Sequence, residues 1–426
     1  MKRNQARIRR GPEPDAPGVP ARRAALQLLD AVLRRGLALE AALDKAASGL
    51  PPSDRGLAHA IAAETLRRLP DLDALIDGAT QRPLPDDAKA RFALRIALVQ
   101  ALCLGTPGHA AIATVLPLVD GGPRKLVHGV FGTVTRSGAL LPEPPTLPDA
   151  VALRWHAAWG DQMIEDAELA IAAPPPLDLT LRLPVELEEA IGLLPGHARL
   201  PAGTSVMELP GFEEGGFWVQ DLAASLPARL IGKGQGTALD LCAAPGGKTL
   251  QLAAAGWDVT AVDVSESRLA RLRDNLDRTG LDAKIVTADL LLWKPEEPAD
   301  AVLLDAPCSA TGIFRRHPDV LHRVRPSLIA EMAELQGKLL HRASQWVKPG
   351  GTLVYATCSL EPQEGEQQLE RFLTHHNDYA IDPVRADELP EGVGPLENGT
   401  LRLHPGMLAE QGRLDGFFIA RLRRNP

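Results

Sequence analysis

Apolar residues recur with a helical period from about residue 20 to residue 138. In ARRAALQLLDAVLRRG, Ala25, Leu28, Leu29, Val32 and Leu33 fall on one stripe at the 3.6-residue spacing of a helix, and Gly36 supplies a stop. Further helical stretches follow the Ser53-Asp54 cap signal (DRGLAHAIAAETLRRL), around Leu72 to Ile76, in DDAKARFALRIALVQALCLG and through RKLVHGVFGTVTR. The pattern predicts an all-α bundle. LLPEPPTLP at 140–148 ends it, because several prolines within a few residues cannot continue a helix. One helix is then expected over DAVALRWHAAWGDQMIEDAELAIA, followed by the prolines of 174–176, a strand in DLTLRLPVE and a Gly/Pro-rich stretch to about 216. That segment reads as a small α+β connector.

From Gly236 onward the period switches between two and 3.6. TALDLCA precedes KTLQLAAA, DVTAVDV precedes SRLARLRDNLDRT, and AKIVTAD and ADAVLLDA follow, before a long helix over about 326–347, then GTLVYAT and a final strand in GFFIARLR. Repeated βα units imply a mostly parallel sheet with helices on both faces, whose ligands bind beyond the carboxyl ends of the strands. The expected division is a helical domain over 20–140, the connector over 145–215 and an α/β domain over 216–426.

A chain of 426 residues is too long for one hydrophobic core, which agrees with that division. Its four cysteines (Cys103, Cys242, Cys308, Cys358) have neither CxxC nor Cys/His spacing, which argues against a zinc site or a disulfide framework and suits a reducing cytosol. No metal is expected. No apolar run approaches the ~20 residues of a membrane span, and the basic start MKRNQARIRR continues into GPEPDAPGVP rather than an apolar signal core or an amphipathic helix. A cytoplasmic monomer is the expectation. The net charge of −8 argues against nucleic acid as a partner unless basic residues cluster. Three clusters exist: Lys2, Arg3, Arg7, Arg9 and Arg10 at the start, RRHPDVLHRVR at 315–325, and RLRR at 421–424. Solvated surface is the plain reading of the terminal two. The middle one begins seven residues after Cys308, so Arg315, Arg316, Arg323 and Arg325 are expected to meet phosphates at the mouth of a site.

DLCAAPGGKT (240–249) forms the first strand-to-helix turn of the α/β part. Gly246 and Gly247 are expected to let the backbone approach a ligand and to open the next helix. The end of a P-loop is present in Gly247-Lys248-Thr249, but its first glycine would fall on Cys242. GxGxxG is absent, which disfavours a dinucleotide and an oxidoreductase. S-adenosylmethionine, a nucleoside cofactor without a diphosphate, remains. Asp263, closing TAVD, is placed to accept from both ribose hydroxyls; Asp289, closing IVTAD, is set to contact adenine; Asp305 closes the next strand. Any one of them alone could be a turn or cap residue. Cys103 reads as a small hydrophobe in an apolar helix, whereas Cys308 in DAPCSATG and Cys358 in YATCSL each follow a strand and should enter one crevice. Methylation at carbon 5 of cytosine gives a thiolate a purpose, since its addition to carbon 6 makes carbon 5 nucleophilic, and a second acid/base group then serves proton removal and release.

DLCAAPGGKT, DAPCSATG, YATCSL, GFWVQDLAAS (216–225) and DGFFIARL together resemble the RNA 5-methylcytosine methyltransferases of the Nol1/Nop2/Sun family. The helical region with SDRGLAHAIAAETLRR is similar to the NusB-like domain of the bacterial Sun (RsmB-type) 16S ribosomal RNA enzymes. The resemblance implies an all-α NusB-like RNA-binding domain ahead of a Rossmann-like methyltransferase domain, and ribosomal RNA as substrate. It implies that Cys358 is the nucleophile and Cys308 assists release, an assignment that spacing leaves open. It further implies that Cys242, Ala243, Ala244, Pro245, Gly246, Gly247, Lys248, Asp263, Asp289 and Asp305 bind S-adenosylmethionine, with Asp305 near the cytosine as well. Two runs depart from the family pattern: Arg182-Leu183-Pro184 stands for Arg-Val-Asn, and Glu364-Gly365-Glu366 for Glu-Asn-Glu, the latter expected to lie outside the chemistry. The competing reading is an RNA-binding assembly factor with a vestigial methyltransferase fold.

Overall fold

The structure is a computed structural model describing residues 16–426, in two compact units that meet between Thr146 and Leu147. The basic cluster from Lys2 to Arg10 lies outside the described residues. Among the described residues, the first unit holds seven α-helices: α1 (Val19–Leu33), α2 (Leu39–Ala46), α3 (Pro52–Arg67), α4 (Leu69–Gly78), α5 (Lys89–Leu102), α6 (Gly108–Val115) and α7 (Gly122–Arg136). Every residue from Ala90 to Gln100 in α5 is buried, as befits a helix surrounded by others. Leu28, Leu29 and Val32 of α1, Ile61 and Leu66 of α3, and Val127, Val130 and Phe131 of α7 share its core. The predicted apolar stripe of α1 is thus the packed one. Cys103 caps the end of α5, partly buried against this core, and burial pushes its thiol up to about 11.

The second unit begins with α8 (Asp149–Trp159) and α9 (Asp161–Ile171), where one helix was expected. Gly160, at φ 79°, separates them, a conformation that glycine adopts without a Cβ penalty. Trp155 and Val151 of α8 and Met163 of α9 pack on Phe314, Val320 and Leu360. Three strands follow, β1 (Leu177–Leu181), β2 (His197–Leu200) and β3 (Phe217–Val219), forming an antiparallel sheet in the order β2-β1-β3. The boundary expected at 215/216 therefore runs through a sheet.

The main sheet contains β4 (Thr237–Leu241), β5 (Asp258–Asp263), β6 (Lys284–Thr287), β7 (Ala299–Asp305), β8 (Val347–Thr357), β9 (Tyr379–Ile381), β10 (Leu401–Leu403) and β11 (Phe417–Arg424). Its order is β10-β11-β8-β7-β4-β5-β6, with β9 also paired to β11. The contiguous strands β6 through β8 are parallel, and β11 returns antiparallel against β8. The helices between are α10 (Leu222–Ile231), α11 (Gly247–Ala254), α12 (Glu266–Thr279), the single turn α13 (Val320–Arg323), α14 (Pro326–Ser344) and α15 (Glu366–His375). Alternate strand residues face opposite cores. Leu239, Leu241, Val302, Leu304 and Tyr355 meet Leu339 and Leu340 of α14 and Phe372 of α15, while Ala238, Ala301, Leu303, Val354 and Ala356 meet Leu222 and Leu226 of α10 and Leu252 of α11. The sheet is doubly wound, and the order reverses between β4 and β7, where such sheets form their ligand crevice.

The basic run after Cys308 is not a free cationic surface. Arg315 is buried, 2.8 Å from the carbonyl of Gly412 and ion-paired to Asp415 and Asp221; Arg316 reaches Asp221 at 2.6 Å and Asp415 at 3.2 Å. Burial opposes the Arg316 charge, but the two carboxylates outweigh it and raise its pKa. Arg323 pairs with Asp319 at 2.9 Å, and only Arg325 of the four is exposed. The expectation of phosphate contacts by Arg315 and Arg316 is corrected: these two guanidiniums tie the loop after Cys308 to the turn before β11 and to the first residues of α10. Arg421 of the RLRR run is likewise buried and paired to Glu388.

Candidate active site

The crevice is built from the ends of four neighbouring strands, β8, β7, β4 and β5. Leu241 lies beside Val262 and Leu304 in the ladder, and Asp305 lies beside Ala356, two residues before Cys358. The turn after β4 starts at Cys242, which holds φ 63°, a left-handed conformation uncommon for a side chain with a Cβ. Its thiol is partly buried and its pKa is raised by that burial and by the neighbouring acids Asp305 and Asp263. Gly246 has φ 111°, and a Cβ there would come within 2.4 Å of Leu272 on α12. Glycine is required at that position by backbone conformation and helix packing, which is a different reason from the ligand approach expected.

Asp263 ends β5 and is buried; its carboxylate accepts from the amide of Ala244 at 3.1 Å and from that of Ser265 at 2.9 Å. It locks the Gly-rich turn to the next strand and retains acceptor capacity beyond those two bonds. Asp289 sits two residues past the end of β6, exposed, and its carboxylate accepts from the amide of Leu291 at 2.9 Å, so it shapes a turn on the same edge. The large apolar residues Val264 and Leu292, close in sequence to these two acids, are exposed. The acceptor capacity left on Asp263 and the opening turn of α11 are chemically compatible with a nucleoside cofactor carrying a sulfonium.

Lys248 Nζ is 2.7 Å from Asp305 Oδ2 and 5.8 Å from the ring centroid of Phe417, in the DGFFIARL segment. Burial would lower its pKa, but the charge and hydrogen bond of Asp305 overcome it and the ammonium is stabilised. The two cysteines meet: Cys308 Sγ lies 3.4 Å from Cys358 Sγ. The bond to Cys358, with burial, pushes the Cys308 thiol well above the ordinary cysteine range. The loop carrying Cys308 is held by backbone bonds from Ala306 to Ala356 at 2.9 Å and from Gly312 to Cys358 at 3.0 Å.

The run Glu364-Gly365-Glu366, expected to lie outside the chemistry, is bonded into this site, and Ser309, Ser359, Glu361 and Arg402 beside it were not singled out in the sequence. Glu364 receives the Ser309 amide at 2.8 Å and the hydroxyls of Ser309 and Ser359. Arg402 pairs with Glu366 and donates to the carbonyl of Ser359, and a Cβ at Gly365 would come within 2.6 Å of Arg402 and 2.8 Å of Phe418. The Glu364-Gly365-Glu366 run is thus tied to the loops of both cysteines, through Ser309 and Ser359. A legible signal was the repeated Cys-Ser pair at 308–309 and 358–359. Trp155 and Arg154 of α8 both donate to Glu361 in the same loop.

Asp240, at the end of β4, is fully buried; Thr249 donates to one of its oxygens and the other has no hydrogen-bond partner. Burial raises its pKa to about 7, with Thr249 and Lys248 offsetting part of the shift. A carboxyl with a folded pKa above its unfolded value near 4 contributes its full stability below that value and loses it as pH rises to about 7, at about 1.4 kcal/mol per unit. Asp240→Asn, which keeps the acceptor for Thr249, should raise thermal stability at pH 8 by about 1 to 3 kcal/mol and change little at pH 4. Melts showing a loss at pH 8 would contradict this account.

The profile of 16S rRNA methyltransferase RsmB/F matches residues 229–423, and that of the NusB family matches residues 19–135. Ribosomal RNA small subunit methyltransferase B of Xanthomonas campestris is 34% identical over 96% of this chain and 98% of its own, and that of Klebsiella pneumoniae is 35% identical over 94% and 98%. The crystal structure of a methyltransferase homolog protein from Pyrococcus horikoshii superposes with a TM-score of 0.54 at 28% identity, covering 65% of this chain and 95% of that one. With near-complete coverage of such relatives, and with a doubly wound sheet that gathers two thiols, a Gly-rich turn and strand-end acids at its switch point, the chain belongs to this family of S-adenosylmethionine-dependent ribosomal RNA methyltransferases.

Proposed function

We propose that this chain methylates carbon 5 of a cytosine in small-subunit ribosomal RNA through a covalent cysteine–cytosine intermediate. The observation that carries the reading is the 3.4 Å pairing of Cys308 and Cys358 at adjacent strand ends. Cys358 is the attacking group. Its sulfur adds to carbon 6, the ring electron pair moves to carbon 5, and carbon 5 takes the methyl group. Residues 242–248, Asp263, Asp289 and Asp305 would hold S-adenosylmethionine, whose methyl–sulfur bond would break as its electron pair returns to the sulfonium, leaving S-adenosylhomocysteine. The carbon 5 proton is then removed, the electron pair reforms the ring double bond and the thiolate leaves.

In the free protein the bond to Cys358 and burial both disfavour the Cys308 thiolate. Lys248 keeps its charge and orients Asp305 beside both thiol loops.

Bisulfite sequencing of ribosomal RNA from cells with and without the gene is expected to reveal a small-subunit cytosine protected only when the gene is present; identical patterns would reject the reading. For the cofactor, Asp263→Ala should weaken S-adenosylmethionine binding by about 1.5 to 3 kcal/mol, roughly 10- to 150-fold in Kd, through lost charge-assisted bonds. Calorimetry that finds the same affinity would remove Asp263 from the cofactor site.

A further inference from the structure

We infer that Glu364 is the positioning residue that sets the separation of the two thiols. Cys308 and Cys358 stand 50 residues apart on loops leaving different strands, and each is followed by a serine. Glu364 is fully buried and its single carboxylate binds both loops: the amide of Ser309 at 2.8 Å and its hydroxyl on one side, the hydroxyl of Ser359 on the other. Gln336 of α14 completes the arrangement, donating to the Glu364 carboxylate at 3.1 Å and to the carbonyl of Pro307 at 2.9 Å. The main chain of Glu364 acts in the same sense. Its carbonyl accepts from the Tyr355 hydroxyl at 2.7 Å and from Thr357 at 3.2 Å, both on the strand that delivers Cys358.

Burying a carboxyl is costly, and burial raises its pKa even though Ser309, Ser359 and Gln336 work to lower it. An apolar side chain could fill that volume at less cost, but it could not bond to the residue after each thiol at once. What the carboxylate adds is a fixed spacing. Displacement of reacting groups by about 1 Å is enough to cost roughly 100-fold in rate.

The inference rests on the two thiols serving the methyl transfer, yet their spacing can be read without RNA or cofactor. Diamide takes two electrons and two protons from a pair of thiols into its N=N bond, leaving a disulfide, and peptide mapping identifies the pair. Cys308 and Cys358 should couple readily in the unaltered protein, and Glu364→Gln should slow the coupling at least about 10-fold. The same variant should lose about 100-fold in kcat, with KM for RNA and for S-adenosylmethionine within twofold. Its melting transition verifies that it is folded. Should it fail to fold, Ser309→Ala with Ser359→Ala, which removes two donors and leaves the carboxylate, decides the matter by the same coupling rate. An unchanged coupling rate in a folded variant, or no coupling in the unaltered protein, overturns the inference. Slowed coupling in a protein that methylates some other position would instead uphold the role of Glu364 and reject the proposed chemistry.

Discussion

Cys308→Ala incubated with substrate RNA and S-adenosylmethionine is expected to accumulate as a covalent RNA adduct, whereas Cys358→Ala should form no adduct and no product. The two sulfurs are in contact, so removing either one leaves the other in the crevice and tests the role rather than the presence of a thiol. Attack at carbon 6 needs one sulfur. Proton removal from carbon 5 needs a base afterwards, and loss of a positioned base slows such a step by about 100- to 10,000-fold. The exit step is therefore the one that fails in Cys308→Ala, and the linked species builds up. Denaturing gels separate the cases. An adduct with Cys358→Ala and none with Cys308→Ala would exchange the two assignments.

Arg315→Ala should destabilise the second unit by about 3 to 5 kcal/mol, the cost of leaving buried charged partners uncompensated. Arg315 is 2% exposed, as is Asp415, and Asp221 is 7% exposed. Asp221 also caps α10 by accepting from the amide of Ala223 at 2.8 Å, so the loss reaches the helix that covers one face of the sheet. All six tryptophans lie beyond Leu147, which makes their fluorescence in urea a direct report on this unit. The variant's RNA binding should keep its dependence on salt, since loss of a phosphate contact would change the slope by about 0.7 to 0.9 and no such contact is expected. Wild-type stability together with a flatter salt slope would return Arg315 to the RNA surface.

The elements were legible in the sequence because their causes are local. The 3.6-residue stripe of Leu28, Leu29 and Val32 gave the first helix, and the alternation in TALDL and AVLLD gave β4 and β7 with opposite residues facing opposite cores. The chemistry was legible through motifs: a cysteine after each of two strands of one parallel sheet must arrive at the same edge, and the thiols meet there. Gly160 splitting the helix expected after Pro148 was a local signal too, outweighed by the apolar pattern on both sides of it.

What only the tertiary structure decided are the partners of charged groups. Arg315 and Arg316 look like a phosphate-binding run when their neighbours in sequence are counted, but Asp415 is 100 residues from Arg315 and Asp221 is 94. Glu364 reads from the sequence as lying outside the chemistry, yet its bonds reach Ser309, 55 residues away, and Gln336, 28 away. Periodicity records which face of an element is buried, and a motif records which residue types a site uses. Neither records which carboxylate meets which guanidinium or hydroxyl, because that depends on strand order and loop path. Burial then raises the energy at stake, since a charge removed from water must find its partner in the folded chain.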